Sequence, residues 1–214
     1  MSRELPTIPQ RGTPAHAVIT SVEWLFEPYW SGERLIAKIA DGHVSLSNEA
    51  GEPAGPDDAI AGEALLAAVD AEDATIDGIW TTQPFPGDGA AQPPEALEGL
   101  EVAPRPCFVA VDLLALDGQS LAEVPLQERR RLLGAIVTES RRVRISPAVR
   151  VPQETWIAAW RAGGFTRYVA KHVNSRYHAG EQSEDWLILS SSPQQPISAG
   201  RIGRRPEKPR LIED

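Results

Sequence analysis

Tyr29, in the run Phe26-Glu27-Pro28-Tyr29-Trp30-Ser31-Gly32-Glu33-Arg34, Lys38, and Lys171 in Tyr168-Val169-Ala170-Lys171 carry groups that become nucleophiles once deprotonated. A phenol with a reference pKa of about 10 stays protonated at neutral pH. To act as a nucleophile Tyr29 would need a base, and the sequence offers no obvious one. An amine must be partly deprotonated by its surroundings before it attacks. Lys38 would have to face a pocket from within a strand, and the alternating pattern around Lys171 predicts a solvated lysine. Asp77, ahead of Gly78, reads as a turn-setting residue. Asp112, inside an apolar run, reads as a cap for backbone amides. His16, His43, His172 and His178 lack metal-ligand spacing. Trp30, Trp80 and Trp186 read as core or pocket filling ahead of base stacking. No G-x-x-x-x-G-K phosphate loop and no G-x-G-x-x-G turn occurs.

The elements that must position these groups are strands mixed with three helices. Arg34 to Ala40, Asp41-Gly42 and His43 to Ser47 read as a hairpin, since Asp-Gly supports the positive φ angles of a tight primed turn. Asp57 and Asp58 are candidate caps for a helix through Ala68, with Ile60, Ala64, Leu65 and Ala68 on one face. Ala74 to Trp80 is a short strand, and Cys107 to Leu114 is apolar enough to be a buried one, with Asp117-Gly118 turning after it. Residues 83–106, with six prolines and three glycines, read as a surface loop or insert. Pro125 opens a helix over Leu126 to Val137, whose Leu132, Leu133, Ile136 and Val137 are expected inward. Pro152 precedes a helix over Gln153 to Ala162 that Gly163-Gly164 ends. Tyr168 to Val173 and Trp186 to Ser190 are the last strands. This irregular mixture favours an α+β fold over a parallel doubly wound sheet.

With 214 residues the chain is long enough to bury a core, and 42% hydrophobic with 24% charged residues suits a soluble globular protein. No apolar run approaches a membrane span, and the first residues lack the apolar stretch of a signal peptide. A lone cysteine, Cys107, rules out an internal disulfide and agrees with a reducing cytoplasm. The formal charge is -9, and residues 201–214 hold five basic residues against three acidic ones. An acidic body with a short basic tail is a weak duplex binder unless its charges segregate onto faces.

Several segments carry a resemblance in the same order. Phe26 to Arg34 resembles the attachment motif F-E-x-K-x-D-G-x-R of ATP-dependent DNA ligases, most like the bacterial repair form. Phe108-Val109-Ala110-Val111-Asp112-Leu113-Leu114-Ala115-Leu116-Asp117-Gly118 is similar to that family's F-V-x-F-D-L-L-x-L-D-G, with the helix start Pro125 to Arg130 after it. Tyr168-Val169-Ala170-Lys171 resembles G-x-V-A-K. Ser175 to Leu187 is similar to S-x-Y-x-x-G-x-x-S-x-D-W-L. The order and spacing agree over roughly residues 20–190.

The resemblance implies an α+β, ATP-grasp-like nucleotidyltransferase core of two antiparallel sheets flanked by helices. It divides the chain into an N-terminal arm over 1–20, an adenylation domain over 21–192 and a flexible basic tail over 193–214, with no room for the OB-fold that usually follows. Tyr29 stands where the family's lysine takes AMP. Ser31 replaces an aspartate, Ile79 and Thr166 replace acids, and Ile188 and Ser190 replace lysines. Val111 replaces an aromatic that helps hold adenine. Gly32, Arg34, Asp77, Val111, Lys171 and Ile188 would form a remnant nucleotide pocket, with Arg34 open between a phosphate or ribose contact and a surface ion pair.

Three expected cations and three expected anions are absent together. Deleting one partner of a buried pair costs about 3–5 kcal/mol, whereas replacing both with apolar groups is often neutral. Magnesium needs hard oxygen ligands, which an isoleucine cannot give. The resemblance therefore implies a pseudoenzyme linked to DNA repair and recombination, acting as a binding or accessory module. ATP and Mg are implied only where the family chemistry survives. The partners implied are DNA or a repair protein such as a true ligase, with no membrane. The rival reading is an active ligase or nucleotidyltransferase with a non-standard nucleophile.

Overall fold

Alternation and turn chemistry become strands in the computed structural model, which describes residues 7–54, 58–85 and 106–192. Along the chain these form β1 (Arg11–Pro14), β2 (Trp24–Pro28), β3 (Glu33–Ala40), β4 (His43–Ser47), α1 (Asp58–Ala68), β5 (Asp73–Thr81) and β6 (Cys107–Leu116). Then come β7 (Gln119–Ser120), α2 (Leu126–Ile136), β8 (Val143–Ile145), α3 (Glu154–Ala162), β9 (Arg167–His172) and β10 (Gln182–Ser190). Asp41 and Gly42 have φ of 51° and 73°, and Asp117 and Gly118 have 50° and 73°. Positive φ at both central positions is what a primed two-residue hairpin needs, so both Asp-Gly pairs turn as the sequence predicts. The insert over 86–105, the tail over 193–214, Asp57 and the first six residues of the arm lie outside the described residues.

Two sheets result. The smaller has the order β1-β10-β9-β2, and the larger runs β4-β3-β5-β6-β7 with β8 also on β6. The two-sheet α+β architecture is as expected, but the sheets are mixed and not purely antiparallel: β1 pairs parallel with β10, and β8 parallel with β6. Parallel neighbours need a long connection between them. Nearly the whole domain separates β1 from β10, and α2 separates β6 from β8.

Burial follows the sheets. β6 is buried along all but its last residue, because α2 covers one side and the smaller sheet faces the other. One core packs Leu35, Leu65, Ile76, Phe108 and Leu133 between the larger sheet and the helices α1 and α2. A second joins the sheets through Phe26, Trp30, Val109, Trp160 and Phe165. On α1 the inward residues are Ala61, Leu65 and Ala68, while Ile60 is 43% exposed. The expected face therefore holds at Leu65 and Ala68, with Ala61 buried in place of Ile60. On α2, Leu126, Arg129 and Leu133 are buried; Leu132 and Ile136 are half-buried. Among the described residues no helix is long and apolar enough to cross a membrane.

Candidate functional site

Between the sheets lies a cleft of ≈ 280 Å³. Side chains from β1, β2, β9 and β10 line one wall; Arg34 of β3, Ile79 of β5 and Val111 of β6 line the other. Among the residues singled out in the sequence, Tyr29, Gly32, Arg34, Val111, Lys171 and Ile188 meet here, although they come from four separate segments. Asp77 lies directly behind Arg34. Lys38 is exposed on β3 and does not reach the cleft. Among the described residues no group of three His, Cys, Asp or Glu side chains could share a metal ion.

Gly32 is required by a close approach. A Cβ there would sit 2.3 Å from the Trp80 carbonyl oxygen and 2.9 Å from Ile79 Cγ2. The link from β2 to β3 therefore lies tight against β5 and holds Tyr29 at the edge of the cleft. The Tyr29 ring is covered by the Arg167 guanidinium, 4.0 Å from its centroid, and the Tyr29 amide donates to the Arg167 carbonyl at 3.2 Å.

Arg34 donates through Nε and Nη2 to the Asp77 carboxylate at 3.0 and 2.7 Å. This bidentate fork is the strong form of an ion pair. Burial acts to lower the guanidinium pKa, but the field and hydrogen bond of Asp77 outweigh it and hold Arg34 above its usual range. Asp77 is fully buried in the middle of β5, which corrects its expected role in a turn. It faces Ile36 of β3 across the ladder and also accepts from Tyr177 Oη at 2.8 Å. Burial, helped by Asp77, pushes the Tyr177 phenol well above its usual pKa, so it stays a donor. The Gln10 amide in turn donates to Tyr177 Oη at 2.9 Å, tying the N-terminal arm to the cleft arginine.

Lys171 is 2% exposed, not the solvated lysine that its alternating strand suggests. The reason is Glu27 on neighbouring β2: Lys171 Nζ donates to Glu27 Oε2 at 3.1 Å and to the Val111 carbonyl at 3.4 Å. Its ammonium lies 4.2 Å from the Trp186 ring centroid. Burial lowers the Lys171 pKa, and Glu27 offsets part of that shift. Glu27 serves two cations, because Arg130 Nη1 donates to its other oxygen at 3.0 Å. Trp186 is itself buried, and among the described residues its indole N–H finds no acceptor.

Asp112 accepts from the Leu113 amide at 2.9 Å, as expected of a backbone cap. Its main partner is Arg129, through a fork at 2.9 and 2.7 Å with both side chains fully buried. Sequence reasoning missed Glu27, Arg130 and Tyr177 as partners, and Arg11, Gly12, Glu49 and Val169 as lining residues. Glu27 and Tyr177 stand inside the quoted motifs, which was the available signal.

A family model described as ATP dependent DNA ligase domain matches residues 10–189. The chain is 26% identical over 189 residues to the multifunctional non-homologous end joining protein LigD of Mycobacterium bovis, an alignment covering 85% of this chain and 23% of that protein. It therefore spans under a quarter of the length of this curated relative. The ligase domain of M. tuberculosis LigD has a TM-score of 0.63 at 24% identity, over 86% of this chain and 59% of that one. A mycobacterial DNA ligase D complexed with ATP and MES gives 0.60 at 23% identity, over 85% and 60%. At these identities the likeness is one of fold.

Proposed function

The chain belongs to the ATP dependent DNA ligase domain family, and from that premise we propose that it is a ligase-type domain without self-adenylation, acting in DNA repair as an accessory or binding module. The single observation that carries this reading is the pairing inside the cleft. A phenol, Tyr29, occupies the motif position of the nucleophile, while Lys171, the one lysine lining the cleft among the described residues, is tied to Glu27 and a backbone carbonyl.

Magnesium and a triphosphate do not fit the residues present. Ile79, Val111, Val169 and Ile188 give apolar walls, which offer neither oxygen ligands for the metal nor charge for the phosphates. Among the described residues, lining groups with their direct ion-pair partners give four cations (Arg11, Arg34, Arg130, Lys171) against three carboxylates (Glu27, Glu49, Asp77). One excess positive charge is little to hold a triphosphate. A role beside a true ligase, or on DNA, is supported by the family and by the LigD relatives, whose names place them in end joining.

A second reading is favoured by one observation: burial lowers the Lys171 pKa, and a partly neutral amine is what a nucleophile requires. Intact-mass measurement after incubation with ATP and magnesium separates the two. The expected result is no gain of one AMP and no sealing of nicked DNA. An adduct on wild type that vanishes in Lys171→Ala or Tyr29→Phe would replace the first reading with the second.

A further inference from the structure

We infer that the outer face of α1 is a docking surface for an amphipathic helix of another protein, one that carries lysine or arginine beside an apolar stripe. α1 covers the side of the larger sheet away from the cleft, so the inference goes beyond the reading above and does not rest on it. Packing and charge carry it together.

A surface helix turns a polar face to water, and a helix that is apolar all round belongs in an interior. The eleven residues of α1 include two charged ones, Asp58 and Glu63. The inner face, Ala61, Leu65 and Ala68, is buried in the core. The outer face holds Ala59, Ile60, Glu63, Leu66 and Ala67, all exposed. Ile60 and Leu66 stand 43% and 42% exposed. They flank Glu63 at three residues either way, the spacing of neighbours on a helix surface. An apolar stripe laid along α1 would therefore cover both.

Charge decides what kind of stripe. Residues 39–104 hold fourteen acidic residues and no lysine or arginine. Subtracting these from the chain's 30 acids leaves 16, against 21 basic residues elsewhere. Negative charge is thus concentrated in the stretch that builds β4, α1 and β5, where Glu49, Glu52, Glu63, Asp70 and Glu72 are exposed. Lys38 alternates on β3 with Ala37 and Ile39 of the α1 core, so it points from the opposite face of the sheet. Arg141 and Arg142 are exposed on the turn after α2. The Thr138 amide joins that turn to the C-terminal end of α1, donating to the Ala68 carbonyl at 2.8 Å. Positive charge enters at that end, while from Ile60 to Leu66 the one charged side chain is a carboxylate. Acidic partners are repelled from such a face, and a basic one is complementary to it. Leucines flanked by lysines would cover the hydrophobics and pair with Glu63, which is the helix mode of recognition. Two copies paired through this face would set the acidic stretch against itself.

Fluorescence anisotropy of the full chain with a labelled synthetic helix tests this. The helix has about eighteen residues, with leucines at helical spacing and lysines on the flanks. A scrambled peptide of the same composition carries the same charge without the stripe. The helix is expected to bind at least about tenfold tighter than the scramble. Leu66→Glu removes apolar surface but adds negative charge. Docking predicts about fivefold weaker binding, whereas attraction by net charge alone predicts tighter binding. Glu63→Lys should weaken the helix about tenfold. Glu184→Lys, the same charge change at an exposed position on β10, should shift it by less than about twofold. Leu66 and Glu63 are both exposed, so these variants keep the core.

No binding of the helix, equal binding of the scramble, tighter binding by Leu66→Glu or an equal loss in Glu184→Lys would each overturn the proposal. Either rival occupant would do the same. A sedimentation mass that grows with concentration, and falls back in Leu66→Glu, would seat a second copy there. A carbodiimide cross-link from Lys208 to Glu63 within one chain would seat the chain's own basic tail.

Discussion

Asp77 on β5 and Asp112 on β6 are cross-strand partners in the larger sheet, both fully buried. Like charges placed opposite each other in a sheet destabilise it, and here each is neutralised by an arginine fork of its own. The two forks match within a tenth of an ångström, at 3.0 and 2.7 Å for Arg34 and 2.9 and 2.7 Å for Arg129. Their surroundings differ. Arg129 is sealed, with its remaining donors on the Val124 and Ser175 carbonyls. Arg34 keeps 18% of its side chain exposed and borders the cleft. The same chemical unit thus serves as structure at Asp112 and as a cavity wall at Asp77. Access to solvent, not the pairing itself, separates the two roles.

The largest effect is expected where escape to water is impossible. Arg129→Met leaves Asp112 buried without its cation beside Asp77, and should lower the unfolding free energy by about 3–5 kcal/mol in urea denaturation. It also strips donors from two carbonyls that link α2 to the start of the Ser175 segment. A loss under about 1 kcal/mol would mean that water reaches Asp112, and the contrast between sealed and open forks would fail.

Asp77→Asn should cost less, about 1–3 kcal/mol. Asparagine retains an oxygen for Tyr177 or Arg34, and the guanidinium released from its charge partner can turn to the water in the cleft. The same substitution leaves an unneutralised cation at the cavity wall, so binding of ATP, read by titration calorimetry, should strengthen relative to wild type. A cost equal to that of Arg129→Met would show that the cleft side is sealed as well.

The sequence carried much of this arrangement and lost specific parts of it. The hairpin over β3 and β4, the buried strand β6 and the helices α2 and α3 were legible because their signals are local: Asp-Gly turns, an apolar run, proline and glycine at helix ends. The assembly of Tyr29, Arg34, Val111, Lys171 and Ile188 around one space was legible only through the order of the motifs, since no local pattern joins four segments. β1 was not legible. Four residues, Arg-Gly-Thr-Pro, show no alternation, and they become a strand by pairing with β10 about 170 residues later. β8 is three residues long and owes its place to β6. Lys171 was misread for a related reason. Alternation reports that Val169 and Lys171 share a face of β9, but not that this face meets Glu27 of β2.

Lys171 also gives the smallest effect and the finest version of the comparison. Arg129 is the cation that neutralises Asp112, whereas Glu27 has two, Lys171 and Arg130. Lys171→Met therefore strands no carboxylate. It replaces a buried ammonium with an apolar chain of similar length, and should change stability near pH 7 by no more than about 1 kcal/mol. The pH dependence carries the sign. Burial holds the folded pKa of Lys171 below its ordinary value of 10.5, so between those two values the unfolded chain binds more protons. Unfolding free energy then rises with pH across that window, by up to about 1.4 kcal/mol for each pH unit traversed by a single group. Denaturation midpoints of wild type should accordingly improve relative to Lys171→Met as pH climbs toward 10.5. A flat difference would mean that Glu27 compensates the burial of the ammonium completely, and that the cleft lysine is as firmly charged as Arg129.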